Sequence, residues 1–202
     1  MTPKLTFLLG GARSGKSSLA VRWARQRARQ VAFIATARPT DEEMARRIAR
    51  HRAERPAHWQ TLELPQGVGA ALLRNPPQAE VCLLDCLTLL VSNVLLAVTD
   101  PDAPDFARAH KAVVAEIAQL LAAVETSACD WIVISNETGA GLVPPFPLGR
   151  LFRDVLGWAN QQMAARADEV YYLIAGIPLP LHRFRDGTGP WGPDGPSKSG
   201  DF

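Results

Sequence analysis

Cysteine is sparse in this 202-residue chain, and its three copies, Cys82, Cys86 and Cys129, lack the CxxC spacing of a zinc site. An odd number, set in or beside apolar stretches, reads as reduced core thiols of a cytosolic protein and excludes a disulfide frame or a metal cage. Charge of one sign is scarce as well. Lys and Arg number 22 against 20 acidic residues, and no like-charged block occurs outside one Arg-rich helix, so nucleic acid is not an expected partner. There is no uninterrupted apolar run long enough for a membrane span: Asp85, Thr88, Ser92 and Asn93 break up the most apolar segment, residues 81–98. A basic region followed by an apolar stretch and a cleavage site is missing from the N-terminus, so no secretory signal is read and the chain is expected in the cytoplasm. Lysine itself is rare, with only Lys4, Lys16, Lys111 and Lys198.

What is present is a 47% apolar composition, enough for one sizeable core. Short β-rich runs alternate with helical periodicity. Leu5–Leu9 is followed by a helix from Ser17 to Arg29, then Val31–Ala35 and a helix from Asp41 to Arg55. Further strands are expected at Val81–Leu84, Trp131–Ser135 and Glu169–Ile174, with helices after Leu84, over Phe106–Val124 and over Leu148–Ala167. This pattern predicts an α/β fold, a mostly parallel sheet flanked by helices with ligands beyond the carboxyl ends of the strands, and the GxxxxGKS at residues 10–17 makes it P-loop NTPase-like. Residues 1–184 form one catalytic domain in this reading. The Gly- and Pro-rich stretch 185–202 lacks apolar periodicity and reads as a flexible tail.

The strand-to-helix junction at Gly10-Gly-Ala-Arg-Ser-Gly-Lys-Ser17 carries GxxxxGKS. Glycines at both ends let the backbone wrap closely around a phosphate, and the N–H groups of Gly11, Ala12, Arg13, Ser14 and Gly15 face the anion at a helix N-terminus. Lys16 reaches the β and γ oxygens, and Ser17 can ligate Mg²⁺. A chance match would occur in roughly one chain in a hundred, and the strand before it with the helix after it lowers that further. The one lysine between positions 5 and 110 stands at the motif position.

Val81-Cys-Leu-Leu-Asp85 is an apolar strand ending in a carboxylate, the form of an element that orients Mg²⁺; a helix-capping carboxylate has the same signature. Asn136-Glu137 also follows a strand end, where a ligand site and a turn fit equally. Thr40-Asp-Glu-Glu43 forms a capping box, in which Thr40 accepts from the Glu43 amide, and opens a helix with Met44, Ile48 and His51 on one stripe. Arg46, Arg47, Arg50, Arg52 and Arg55 surround His51 with cationic groups suited to a triphosphate. From spacing alone, a nucleophilic imidazole and an inert surface histidine are both open.

These segments together resemble the bifunctional adenosylcobinamide kinase/adenosylcobinamide-phosphate guanylyltransferases of cobalamin biosynthesis. The likeness runs through the phosphate loop, Ile34-Ala-Thr-Ala37, Asp41–Ile48, His51–Glu63, Leu84-Asp-Cys-Leu-Thr88, Ser135–Pro144, Phe152-Arg-Asp154 and Ala167–Tyr171, in the family's order. The resemblance implies phosphorylation of adenosylcobinamide with ATP or GTP, followed by transfer of GMP from GTP through a covalent histidine, which is His51 by position. It further implies nucleotide contacts from Gly10 to Ser17, from Thr36, Ala37 and Arg38, from Arg52, Ala53, Glu54 and Arg55, and from Glu63 and Asp85. Mg²⁺ would be held by Ser17 and Asp85, and the assembly would be a homotrimer. The chain departs from the family's pattern at Ala37, at Ala53-Glu54 and at Asp85, where a longer Glu also occurs. A different small-molecule kinase and a nucleotide-dependent switch remain as rivals, although no Asn begins an NKxD element, and the DxxG matches at Asp154 and Asp186 are not at a strand-to-loop metal position.

Overall fold

A computed structural model describes residues 4–53 and 55–184; Glu54 and the expected tail, 185–202, lie outside the described residues. Among the described residues, seven strands form one sheet in the order β3-β2-β4-β5-β1-β6-β7. They are β1 (Leu5–Gly10), β2 (Val31–Ala35), β3 (Gln60–Glu63), β4 (Val81–Asp85), β5 (Asp130–Ile134), β6 (Glu169–Ile174) and β7 (Ile177–Pro180). All pairings are parallel except the β6–β7 hairpin. Central strands buried on both faces need continuous apolar runs, which Phe7–Leu9, Val31–Ile34, Val81–Leu84 and Trp131–Ile134 supply.

The helices are α1 (Lys16–Arg27), α2 (Glu42–Ala53), α3 (Val68–Arg74), α4 (Leu87–Val98), α5 (Phe106–Thr126) and α6 (Pro147–Arg166), with a closing 3₁₀ turn at Leu181–Phe184. They divide the core in two. On one face, Phe7, Leu9, Leu84 and Val133 pack with α3, α4, α5 and α6 around Leu87, Leu90, Ile117, Leu120 and Leu156. On the other, Leu8, Phe33, Leu83 and Ile132 pack under α1 through Leu19, Ala20 and Ala24.

The α/β alternation and the parallel sheet follow the sequence pattern, with three elements added. β3 is a four-residue edge strand too short and too polar to register. α3 has seven residues, and Gly69 lets it touch α5 so closely that a Cβ there would lie 2.1 Å from the backbone of Gln119. β7 carries Pro178 and Pro180, which suit an edge strand whose outer side needs no ladder bonds.

The capping box is displaced by one residue. Asp41, not Thr40, caps α2: its carboxylate accepts from the Met44 amide at 2.7 Å, while Thr40 donates a long bond to Asp41 at 3.5 Å. A carboxylate satisfies an exposed N–H and the positive helix terminus together, which a hydroxyl cannot.

Candidate active site

The phosphate loop joins β1 to α1 through backbone that only glycine tolerates easily. Gly10 has φ 151°, and a Cβ there would stand 2.6 Å from the Leu173 carbonyl oxygen; Gly15 caps α1 at φ 94°. Lys16 is buried, and its ammonium donates to the carbonyls of Gly10 at 2.8 Å and Gly11 at 2.6 Å and to the Ser14 hydroxyl at 3.2 Å. Burial lowers its pKa, because a charge is costly away from water.

In the sheet, β5 separates β1 from β4, so Asp85 ends a strand two places from the phosphate loop. It is brought to the loop because α1 packs across β5 and β4, which sets Ser17 on its first turn against the Asp85 carboxyl. Burial pushes the pKa of Asp85 above the ordinary carboxylate value; the Ser17 hydrogen bond and the charges of His51, Arg55 and Lys16 pull it back. Those same influences record that all four side chains surround one carboxyl.

A cavity of about 520 Å³ opens beside them on the α1 face, lined by Ser17, Asp85, His51, Arg55, Phe33 and successive turns of α1. Arg55 stacks over the Phe33 ring, 3.3 Å from its centroid, and so buries its planar face while keeping its donors at the cavity wall. α2 has no buried residue; Met44, Ile48 and His51 are its half-exposed stripe, and the stripe delivers the imidazole to the cavity.

Other expected contacts stand differently. Gly10, Gly11, Ala12, Arg13, Ser14 and Gly15 do not line this cavity. Thr36 is fully buried, and its hydroxyl is committed to Cys86, accepting from its N–H and donating to its carbonyl, both at 2.8 Å. Asn93 donates to the Thr36 carbonyl at 2.8 Å, so Thr36 holds the end of β4 in place. Ala37, Arg38 and Ala53 stay outside the cavity. Arg52 pairs with Glu63 at 3.6 Å on the exposed surface. Arg22 and Arg25 of α1 were not singled out by the sequence, yet both line the cavity; the signal was their spacing from Ser18 and Val21, which puts all four on one helix face.

Burial pushes the Cys86 thiol up to about 12 and the Cys82 thiol higher still, so both are core groups and not nucleophiles. No cluster of three or more His, Cys, Asp or Glu side chains suited to a metal occurs among the described residues. None of their helices is long and apolar enough to cross a membrane.

Residues 6–181 match the family described as cobinamide kinase / cobinamide phosphate guanyltransferase. The chain is 47% identical over 176 residues to a Pseudomonas aeruginosa protein named bifunctional adenosylcobalamin biosynthesis protein CobP, covering 87% of this chain and 95% of that one. It is 40% identical to the Escherichia coli K12 protein named bifunctional adenosylcobalamin biosynthesis protein CobU, over 86% of this chain and 97% of that one. A solved RadB recombinase is similar at 16% identity and a TM-score of 0.45, over 84% of this chain and 73% of that one. With the family's description matched across nearly the whole described chain, this protein belongs to the cobinamide kinase / cobinamide phosphate guanyltransferase family.

Proposed function

We propose that this protein phosphorylates the hydroxyl of adenosylcobinamide with ATP or GTP and then transfers GMP from GTP to the new phosphate through a guanylyl-histidine at His51, giving adenosylcobinamide-GDP in the cytoplasm. The observation that carries this reading is the convergence of Lys16, Ser17, Asp85, Arg55 and His51 at one end of the sheet.

The Ser17 hydroxyl and the Asp85 carboxyl are two hard oxygens in contact, a donor pair that fits Mg²⁺ completed by phosphate and water. Bound there, Mg²⁺ would neutralise charge on the polyphosphate. In the kinase step, the loop amides and Lys16 hold the γ-phosphoryl group in line with the acceptor oxygen, and positioning with charge neutralisation does most of the work. In the second step, an imidazole nitrogen of His51 attacks the α-phosphorus of GTP. The bond to the β-phosphate oxygen breaks, and pyrophosphate leaves against Lys16 and Arg55. An oxygen of the cobinamide phosphate then attacks the histidine-linked phosphorus, the P–N bond breaks, and the imidazole is restored.

Incubation with GTP labelled at the α-phosphate should place acid-labile label on the protein, and His51→Ala should abolish it. Label that persists in His51→Ala, or none on the unaltered protein, would overturn the covalent step. The proposed assembly is a homotrimer, as the family resemblance implies, so light scattering should return three times the 21.9 kDa chain mass. A monomer mass would contradict it.

A further inference from the structure

A second cavity of about 420 Å³ lies on the opposite face of the sheet, between α6 and the β1–β6 pair. Its walls include Leu9, Val170, Gln161 and Phe184, and Gly157 and Glu137 also line it. Three observations tie it to the phosphate loop and to a ligand.

The first is the anchoring of Glu137. Its amide donates to the Gly10 carbonyl at 3.1 Å, which fastens the residue to the first glycine of the loop. Leu9, the neighbour of Gly10, is a wall of the same cavity, so cavity and phosphate loop share a boundary.

The second is a buried network under the turn. Ser135 donates to the Asn160 side-chain carbonyl at 2.6 Å and lies 3.2 Å from the Thr88 hydroxyl. Thr88 accepts from the Asn136 amide at 2.7 Å, and Asn160 donates to the Asn136 carbonyl at 3.1 Å. A satisfied buried network of this kind rigidifies the backbone it holds. The Glu137 carboxylate itself accepts from the Gly139 amide, so its direction is set as well.

The third is Gly157. It sits in the interior of the 20-residue helix α6, where glycine is disfavoured against alanine. Among the described residues, no neighbouring atom stands within 4 Å of where its Cβ would be, so their packing does not require glycine there. A side chain at 157 would project from the cavity wall. Among the described residues, a weaker helix thus accompanies a bare wall.

We propose that this cavity receives the hydroxyl-bearing arm of the corrinoid acceptor, and that Glu137 is the catalytic residue that takes the hydroxyl proton during phosphorylation. The acceptor oxygen attacks the γ-phosphorus, the bond from that phosphorus to the β-phosphate oxygen breaks, the nucleoside diphosphate leaves, and the proton passes to the Glu137 carboxylate. The mixed lining fits such an arm: Glu137 and Gln161 meet its hydroxyl and amide groups, and Leu9, Val170 and Phe184 meet its carbon skeleton. The inference rests on the kinase half of the function proposed above.

The test uses the full chain with cobinamide, pre-formed cobinamide phosphate and Mg–GTP. Glu137→Gln should lower kcat for phosphorylation by about 100-fold or more, the scale of a positioned general base. The dissociation constant for GTP and the guanylylation of pre-formed cobinamide phosphate should stay within about twofold. Gly157→Leu should raise KM for cobinamide at least about tenfold without changing GTP affinity, with the smaller Gly157→Ala shifting it in the same direction and keeping the fold. Phosphorylation unchanged in Glu137→Gln and Gly157→Leu overturns the inference alone. Equal losses in both reactions, or a changed oligomeric mass in Gly157→Leu, also overturn it, by assigning these residues to general architecture or to a subunit contact. An unaltered protein that forms no cobinamide phosphate overturns the kinase reading and this inference together.

Discussion

The Asp85 carboxyl is held above the usual carboxylate range because burial penalises its charge more than Ser17, His51, Arg55 and Lys16 together relieve it. A carboxyl whose folded pKa is raised contributes most to stability when protonated. That contribution is lost as pH rises from the unfolded value of 3.8 through the folded value, so above that range the carboxyl is a net cost to stability. Asp85→Asn keeps the shape and removes the charge. Thermal unfolding should therefore shift upward at neutral pH, with each ~1 kcal/mol appearing as roughly 2–4 °C in a chain of this size. Phosphoryl transfer should fall by about 100-fold or more as an electrostatic partner of the polyphosphate is lost. A lowered melting temperature together with retained turnover would show that Asp85 is a structural cap, the role its strand-end position alone also allowed. Thr36 marks the limit of residue-level reading: its hydroxyl carries no sign in the sequence of being spent on the Cys86 backbone, because that contact spans 50 positions.

At the scale of elements, the phosphate loop, β2, β4 and β6 were legible because each is set by local pattern: continuous apolar runs, glycines at turns, and a helix beginning at once. The elements that escaped are those whose existence depends on a neighbour. α3 is one, a seven-residue helix with Gly69 inside it, which only the close approach of α5 explains. Gly69→Ala would place its Cβ 2.3 Å from the Gln119 carbonyl oxygen and force the helices apart. Overpacking of this kind costs about 1–3 kcal/mol. The melting temperature should drop by several degrees while GTP affinity stays unchanged, since α3 lines neither cavity. A variant as stable as the unaltered chain would mean that the α3–α5 contact is loose. α2 shows the opposite case. Its stripe of Met44, Ile48 and His51 was readable from spacing, but that the stripe is only half covered depends on tertiary context, and so does the cap falling on Asp41.

For the whole molecule, sheet order is the part that no local pattern discloses. Insertion of β5 between β1 and β4 puts the Ser135–Glu137 turn against Gly10 and leaves Asp85 to be reached by α1 from the other face. One carboxyl edge of the sheet is thereby served from both sides: His51, Arg55 and Asp85 on the α1 face, Glu137 and the α6 cavity on the other. Both proposed reactions draw on the one phosphate loop, but the acceptor arm is assigned to the α6 side and His51 lines the cavity on the α1 side. In this reading the phosphorylated acceptor leaves the α6 cavity before its phosphate meets the guanylyl group on His51. A chase experiment follows from this geometry. With labelled cobinamide and Mg–GTP, an excess of unlabelled cobinamide phosphate should dilute the label in the final product in proportion to the excess, because the labelled intermediate mixes with the pool in solution. Undiluted label in the final product would mean transfer without release, and the two cavities could not then serve the two steps in the order proposed.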